Sequence, residues 1–269
     1  MITLYDGSGH FIGYDSLTFS GGEEHIRLKT PHGSGPVRIE ARLWSSREIF
    51  QLLIITDALR RRGFHDIDLV LPYVSYARQD RVCNEGEALS VKVFCDIVNS
   101  QKYRSVEIWD PHSDVTPALL DRCQVYQQKY FVAKASNVYP NCVLVAPDAG
   151  ALKKTFEAAE LIQGDYISAT KHRDTKTGEI TKVSVPYLMQ DGKNYLIVDD
   201  ICDGGRTFIE VSKAIRTQVP RAQVRLYVTH GIFSKGLDVL KPYIDHVYTA
   251  NIFPDRYQGN EGYVTVLRR

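Results

Sequence analysis

The 269-residue chain has no excess of either charge: 33 Lys and Arg stand against 32 Asp and Glu, a formal net charge of +1. That balance argues against a broad basic surface for nucleic acid or an anionic membrane. No apolar run approaches the ~18 residues needed to span a bilayer, and Met1-Ile2-Thr3-Leu4-Tyr5-Asp6-Gly7 lacks the basic and apolar regions of an export leader. The five cysteines, Cys83, Cys95, Cys123, Cys142 and Cys202, are odd in number, far apart and never in Cys-x-x-Cys spacing. Neither a disulfide framework nor a structural zinc site is expected from such a set. The expectation is a cytoplasmic protein with no membrane anchor and no nucleic-acid partner. Low-complexity linkers are missing too, so no change of composition marks a domain boundary.

What is present is an α/β rhythm. Arg47 to Arg62 is apolar on most of a helical circumference and is closed by Gly63. Strand patterns at Ile67 to Leu71 and Val106 to Trp109 alternate with helical patterns near Val91 to Asn99 and after Thr116. The rhythm restarts at Val143 to Ala146, with a helix from Leu152, a strand near Tyr166 to Ser168, a strand ending at Asp199, a helix from Phe208 and a strand at Val224 to Thr229. Two successive α/β units with parallel sheets are predicted, residues 1–132 and 133–269. Lys171 to Gly192, rich in Lys, Thr, Asp and Gly, reads as a flap or hairpin.

The most informative stretch runs from Tyr195 to Phe208: a buried strand, the acid pair Asp199-Asp200, Cys202-Asp203, the glycines Gly204-Gly205, and Arg206-Thr207 leading into a helical pattern. It has no Gly-Lys-Ser/Thr of a Walker loop and no Gly-x-Gly-x-x-Gly dinucleotide turn. Glycines at a helix start leave backbone N–H groups for a phosphate, and carboxylates just before them accept hydrogen bonds from vicinal hydroxyls. A sugar phosphate such as ribose 5-phosphate satisfies both. A plain strand ending in a polar turn explains the pattern less well, because two adjacent acids there cost stability unless something pairs with them.

Other polar clusters fall at equivalent places, where open parallel sheets bind ligands beyond the carboxyl ends of their strands. Tyr73 to Arg81, with Arg78, Gln79 and Asp80, follows one strand; Asp110-Pro111-His112-Ser113-Asp114 follows the next; Pro147-Asp148-Ala149-Gly150 follows a third. Singly, Arg78 and Arg81 suit a solvated loop, His112 a structural histidine, and Lys171 and Arg173 a charged surface. Jointly, the acids and His suit Mg²⁺ and hydroxyls while Arg and Lys suit polyphosphate oxygens. A metal-nucleotide and a sugar phosphate are expected to share one cleft.

These residues resemble the ribose-phosphate diphosphokinases, the phosphoribosyl pyrophosphate synthetases. The resemblance rests on Phe19-Ser20-Gly21-Gly22-Glu23, Asp57 to Arg61, the specific run Leu71-Pro72-Tyr73 to Tyr76-Ala77-Arg78-Gln79-Asp80-Arg81, Asp110-x-His112, Pro147 to Gly150, Lys171-x-Arg173, Val198-Asp199-Asp200 and Thr229-His230-Gly231. It implies a type I phosphoribosyltransferase fold in each of two domains. It also implies that Arg78, Gln79, Asp80 and Arg81 bind ATP, with Phe19 and Glu23 reaching the nucleotide from a neighbouring subunit of a homo-oligomer. By the same resemblance His112 and Asp148 ligate Mg²⁺, and His112, Lys171 and Arg173 act on the transferring group. Asp199 and Asp200 hold the ribose hydroxyls, and Asp203, Gly204, Gly205, Arg206 and Thr207 hold the sugar's phosphate. The implied reaction is attack by an anomeric hydroxyl on the β-phosphorus of Mg-ATP, which releases AMP.

The chain departs from that family in its phosphate loop. Asp203-Gly204-Gly205-Arg206-Thr207 stands where Asp-Thr-Gly-Gly-Thr is usual, removing a hydroxyl and adding a guanidinium. Two expectations follow. Either Arg206 points to solvent and ribose 5-phosphate still binds, or Arg206 pairs with a diphosphate as in ADP-ribose, the acceptor of phage relatives that rebuild NAD. Gly21, Pro111 and the absence of a closing helix after Val264-Thr265-Val266 bear on nucleotide selectivity, hexamer assembly and allosteric control. A phosphoribosyltransferase and a catalytically weak regulatory subunit are the alternatives. The first would need neither the Arg78-Gln79 cluster nor a second α/β unit, and the second would not need His112, Asp148, Lys171 and Arg173 together.

Overall fold

The computed structural model describes residues 1–30, 33, 35–173, 180–186 and 194–269. Two compact units divide between Tyr126 and Gln127. In the first, β1 (Ile2–Asp6) leads to the hairpin β2 (Tyr14–Thr18) and β3 (Glu24–Leu28), then β4 (Val37–Ala41), α1 (Ser46–Arg61), β5 (Ile67–Leu71), α2 (Ser90–Ser100), β6 (Ser105–Trp109), α3 (Val115–Leu119) and β7 (Cys123–Tyr126). The five-stranded sheet has the order β1-β4-β5-β6-β7, parallel except for the antiparallel β1 edge.

Local chemistry explains where α1 begins and ends. Ser45 accepts from the Glu48 amide while the Glu48 carboxylate accepts from Ser45 N, a reciprocal capping box, and Gly63 at φ +93° stops the helix. Its buried face, Leu52, Ile55, Thr56 and Leu59, packs into the core formed with Leu69, Leu71, Phe94 and Ile108. Deep sheet burial on both faces suits the near-continuous apolar β5.

The second unit begins with α4 (Gln128–Val138), inside which the expected cut at 132/133 falls. It continues through β8 (Cys142–Ala146), α5 (Leu152–Ile162), β9 (Tyr166–Ser168), β10 (Thr170–Arg173), β11 (Ile180–Ser184), β12 (Asn194–Cys202), α6 (Arg206–Gln218), β13 (Gln223–Gly231), β14 (His246–Ile252), α7 (Pro254–Tyr257) and β15 (Val264–Val266). Its six-stranded sheet, order β15-β14-β13-β12-β8-β9, is parallel throughout. Each unit is therefore a largely parallel sheet flanked by helices, the fold class the sequence predicts.

Two boundaries differ from the sequence expectation in ways that matter for the site. β12 does not stop at Asp199: it runs on to Cys202, pairing Ile201 with His230 and Cys202 with Gly231 of the nine-residue β13. Acids are disfavoured in strands, so the pair reads as a terminus, but the long neighbouring strand carries the ladder past them. The following helix starts at Arg206 instead of Phe208, with Gly205 at its cap. Of the expected flap, residues 174–179 and 187–192 lie outside the described residues; the antiparallel pairing of β10 with β11 sets Lys171 opposite Val183 and Arg173 opposite Ile180.

Candidate active site

In the first unit the loop after β5 is held by its own contacts. The Ser75 hydroxyl donates to Leu43 O at 2.8 Å, Tyr73 stacks on Trp44 with ring centroids 5.9 Å apart, and Gln79 N donates to Tyr76 O. Tyr76 takes the left-handed conformation, φ +64°, as does Asp110, φ +39°, at the end of β6. Such backbone is costly for residues with a Cβ and collects at functional sites. The result leaves Arg78 and Gln79 exposed and Asp80 buried.

Asp80 links this loop to the next. Its carboxylate accepts from Arg81 Nε at 2.9 Å, and the Arg81 bond, with the Ser113 hydroxyl and the nearby His112, holds the Asp80 carboxyl below the usual carboxylate range. The Tyr73–Arg81 and Asp110–Ser113 clusters therefore meet. Ser113 lies in the expected strand-end cluster, but its bond to Asp80 is not one that residue order announces. Phe19 and Glu23 stand exposed in the turn joining β2 to β3, closed by Phe19 N donating to Glu23 O and Gly22 N to Phe19 O.

The second unit gathers the acids. Asp148 Oδ1 accepts from the amides of Gly150 and Ala151 at 3.0 and 3.2 Å, fixing the turn into α5. Asp199 Oδ1 accepts from Asp200 N at 2.9 Å. Burial comes first and the Asp200 charge second in pushing the Asp199 carboxyl well above the usual range, and Asp148 adds to the effect. The charges of Asp200 and Asp148 thus both act on Asp199, and among the described residues no cation is bonded to it, a polarity that a hydroxyl-bearing or metal-bound ligand would relieve.

Just beyond, Gly205 caps α6 at φ +79°, and no side chain caps the helix. A Cβ on Gly205 would lie 2.7 Å from Leu240 Cδ2, so glycine is required there on both counts. Phe208 N and Ile209 N donate to Gly205 O at 3.1 and 3.2 Å, and the positive end of the helix dipole at Arg206 favours an anion. Arg206 is exposed at the first helical position, and Asp203, Gly204 and Thr207 are half-buried beside it. The side chains of Lys171 and Arg173 lie outside the described residues.

A parallel α/β unit in which two acids late in a strand lead into a glycine-capped helix defines a phosphoribosyltransferase-like protein, and residues 127–258 match the phosphoribosyl transferase domain. Residues 35–101 match the N-terminal domain of ribose phosphate pyrophosphokinase. The ribose-phosphate pyrophosphokinase of Thermococcus kodakarensis is 30% identical over 251 residues, covering 88% of this chain and 84% of that one. That of Pyrococcus abyssi is 28% identical over 261 residues, covering 91% and 86%. The crystal structure of phosphoribosylpyrophosphate synthetase from Mycobacterium smegmatis shares the fold, with a TM-score of 0.79 at 20% identity over 97% of this chain and 87% of that one. The chain belongs to the ribose-phosphate pyrophosphokinase family, whose members are kinase-type transferases.

Among the described residues no helix is long and apolar enough to cross a membrane, and no group of three or more His, Cys, Asp and Glu is placed to hold a metal. Mg²⁺ is commonly held by one or two carboxylates together with substrate phosphates and not by an all-protein cage. Asp148, with one oxygen anchored by backbone amides beside the Asp199 pair, is a donor of the right kind.

Proposed function

We propose that this chain moves the β,γ-pyrophosphoryl group of Mg-ATP to the anomeric hydroxyl of a ribose with an anionic 5-substituent, ribose 5-phosphate or ADP-ribose. The sugar's O1 bonds to the β-phosphorus, the bond from that phosphorus to the α-phosphate oxygen breaks, the hydroxyl proton departs and AMP leaves. The observation that carries this reading is the Asp199-Asp200 pair running into a helix start at Arg206 capped by glycine and by no side chain, in a member of this family. The acids accept the ribose hydroxyls and the helix amides with Arg206 hold the 5-phosphoryl group.

Arg78 and Gln79 bind ATP, with Arg81 oriented by Asp80, and Phe19 and Glu23 of a neighbouring copy complete the nucleotide site in a homo-oligomer. Asp148 and His112 would hold Mg²⁺, which supplies charge neutralisation at the polyphosphate. Lys171 and Arg173 close over the transferring group and neutralise the charge that develops on it. Such a transfer depends on alignment and electrostatics far more than on covalent catalysis. The product class would feed nucleotide biosynthesis or, with ADP-ribose, NAD metabolism.

Incubation with Mg-ATP and each acceptor in turn, followed by quantifying AMP, tests the reading. AMP stoichiometric with one acceptor's pyrophosphorylated product is expected; release with neither would defeat it. Lys171→Ala is expected to lower kcat about a hundredfold while leaving ATP affinity within a few-fold, the pattern of a group used mainly in the transition state. Unchanged turnover would remove Lys171 from the mechanism.

A further inference from the structure

The turn after β13 is bolted to the phosphate loop. Ile232 N and Phe233 N both donate to Cys202 O, at 2.9 and 3.0 Å, and Ser234 N donates to Asp203 O at 3.1 Å. Phe233, in the left-handed region at φ +47°, turns its ring back into the core, where it is 1% exposed. Gly236, at φ +76°, closes the turn by donating to Phe233 O. Between these anchors, the stem of Lys235 crosses the face of Gly204: a Cβ built on Gly204 would lie 3.5 Å from Lys235 Cε and 3.6 Å from Cδ. Lys235 is exposed, and its ammonium makes no ion pair or hydrogen bond among the described residues.

A lysine whose methylenes lie on a glycine of an anion cradle has its charge confined to that cradle's rim. We propose that Lys235 is a specificity-determining residue of the acceptor site, its ammonium binding the 5-phosphoryl oxygens from the side opposite the α6 amides. This rests on the acceptor reading of the Asp203–Thr207 loop. It adds to that reading a second cation, contributed by a separate segment of the fold. Gly204 is then the position that makes room for the lysine, and Lys235 supplies a polar contact where the family's usual threonine hydroxyl is missing.

The test is calorimetric binding of ribose 5-phosphate and of ADP-ribose, without ATP, to the wild type, Lys235→Met and Lys235→Arg. Met keeps the stem on Gly204 and removes only the charge, so a packing role would leave it silent. The expected result is an acceptor Kd raised about tenfold in Lys235→Met, a wild-type value within threefold in Lys235→Arg, unchanged ATP affinity, and a shallower salt dependence in the Met variant. A Kd for the bound acceptor that changes less than threefold in Lys235→Met overturns the inference. Wild-type protein that binds an acceptor yet releases no AMP would sink the transfer reaction while the Lys235 comparison still decides. Binding of neither acceptor would remove the acceptor site and Lys235's role with it.

Discussion

Asp199→Asn is expected to raise the melting temperature of the ligand-free protein while lowering kcat/KM for the acceptor about a thousandfold. Burial and the neighbouring Asp200 push the Asp199 carboxyl well above its ordinary value of 3.8. The folded state therefore holds a proton that the unfolded chain has already released. Through the window that opens near 3.8 and closes at the raised value, the folded state binds more protons, so stability falls as pH rises. Above about 3.8 the buried acid therefore costs stability, and asparagine, which mimics the protonated acid in shape and can donate to Asp200, removes that cost. A gain of about 1 kcal/mol moves the midpoint of a chain of this size by roughly 2–4 °C. The gain should be larger at pH 8 than at pH 5.

The catalytic loss has the same origin. A carboxylate accepts charge-assisted hydrogen bonds worth about 1.5–3 kcal/mol each, and two vicinal hydroxyls lost to a neutral amide amount to about 4 kcal/mol, or three decades of rate. Thermal melts at the two pH values and acceptor titrations of AMP release check both halves. A lower melting point for Asp199→Asn at pH 8 would mean that the acid is compensated by a partner and is not held under strain for a ligand.

Much of this site is legible from residue order because its chemistry is local. The helix closed by Gly63, the strand at Ile67–Leu71 and the helix from Leu152 are written in neighbouring residues, and the structure places them where the pattern does. The acid pair is equally visible, but its setting is not. Whether Asp199 ends a strand or lies within one depends on how far β13 extends beside it, a property of residues 223–231. The helix α4 falls where the two units adjoin in sequence and has a weak amphipathic pattern, so it passes as the vicinity of a boundary. The contacts of Ser113 and Lys235 are hidden for another reason. Each acts through a contact to a residue more than 30 positions away, and neither belongs to a spacing that chemistry requires.

Gly231→Ala is expected to destabilise the second unit by about 3 kcal/mol and to abolish acceptor binding, whereas Gly204→Ala, in the loop it supports, leaves stability nearly unchanged. A Cβ on Gly231 would sit 2.1 Å from Phe233 Cε2, a distance no side chain tolerates. The ring is fully enclosed by the core around Cys202, Leu237 and Leu240 and cannot step aside without opening it. Expelling a buried aromatic costs about 3–5 kcal/mol, here a drop of roughly 6–12 °C in the melting midpoint. Because Phe233 N is one of the two amides bonded to Cys202 O, the same movement unfastens the turn from the phosphate loop and takes Lys235 away from Gly204. Gly204 has ordinary φ, and its added methyl would meet only the flexible Lys235 stem at 3.5 Å. That variant should melt within about 2 °C of the wild type and lose acceptor affinity only through crowding of the cradle. Calorimetric melts and acceptor titrations on both variants separate the two effects. If Gly231→Ala kept wild-type stability, the Phe233 anchor would not be what holds the loop.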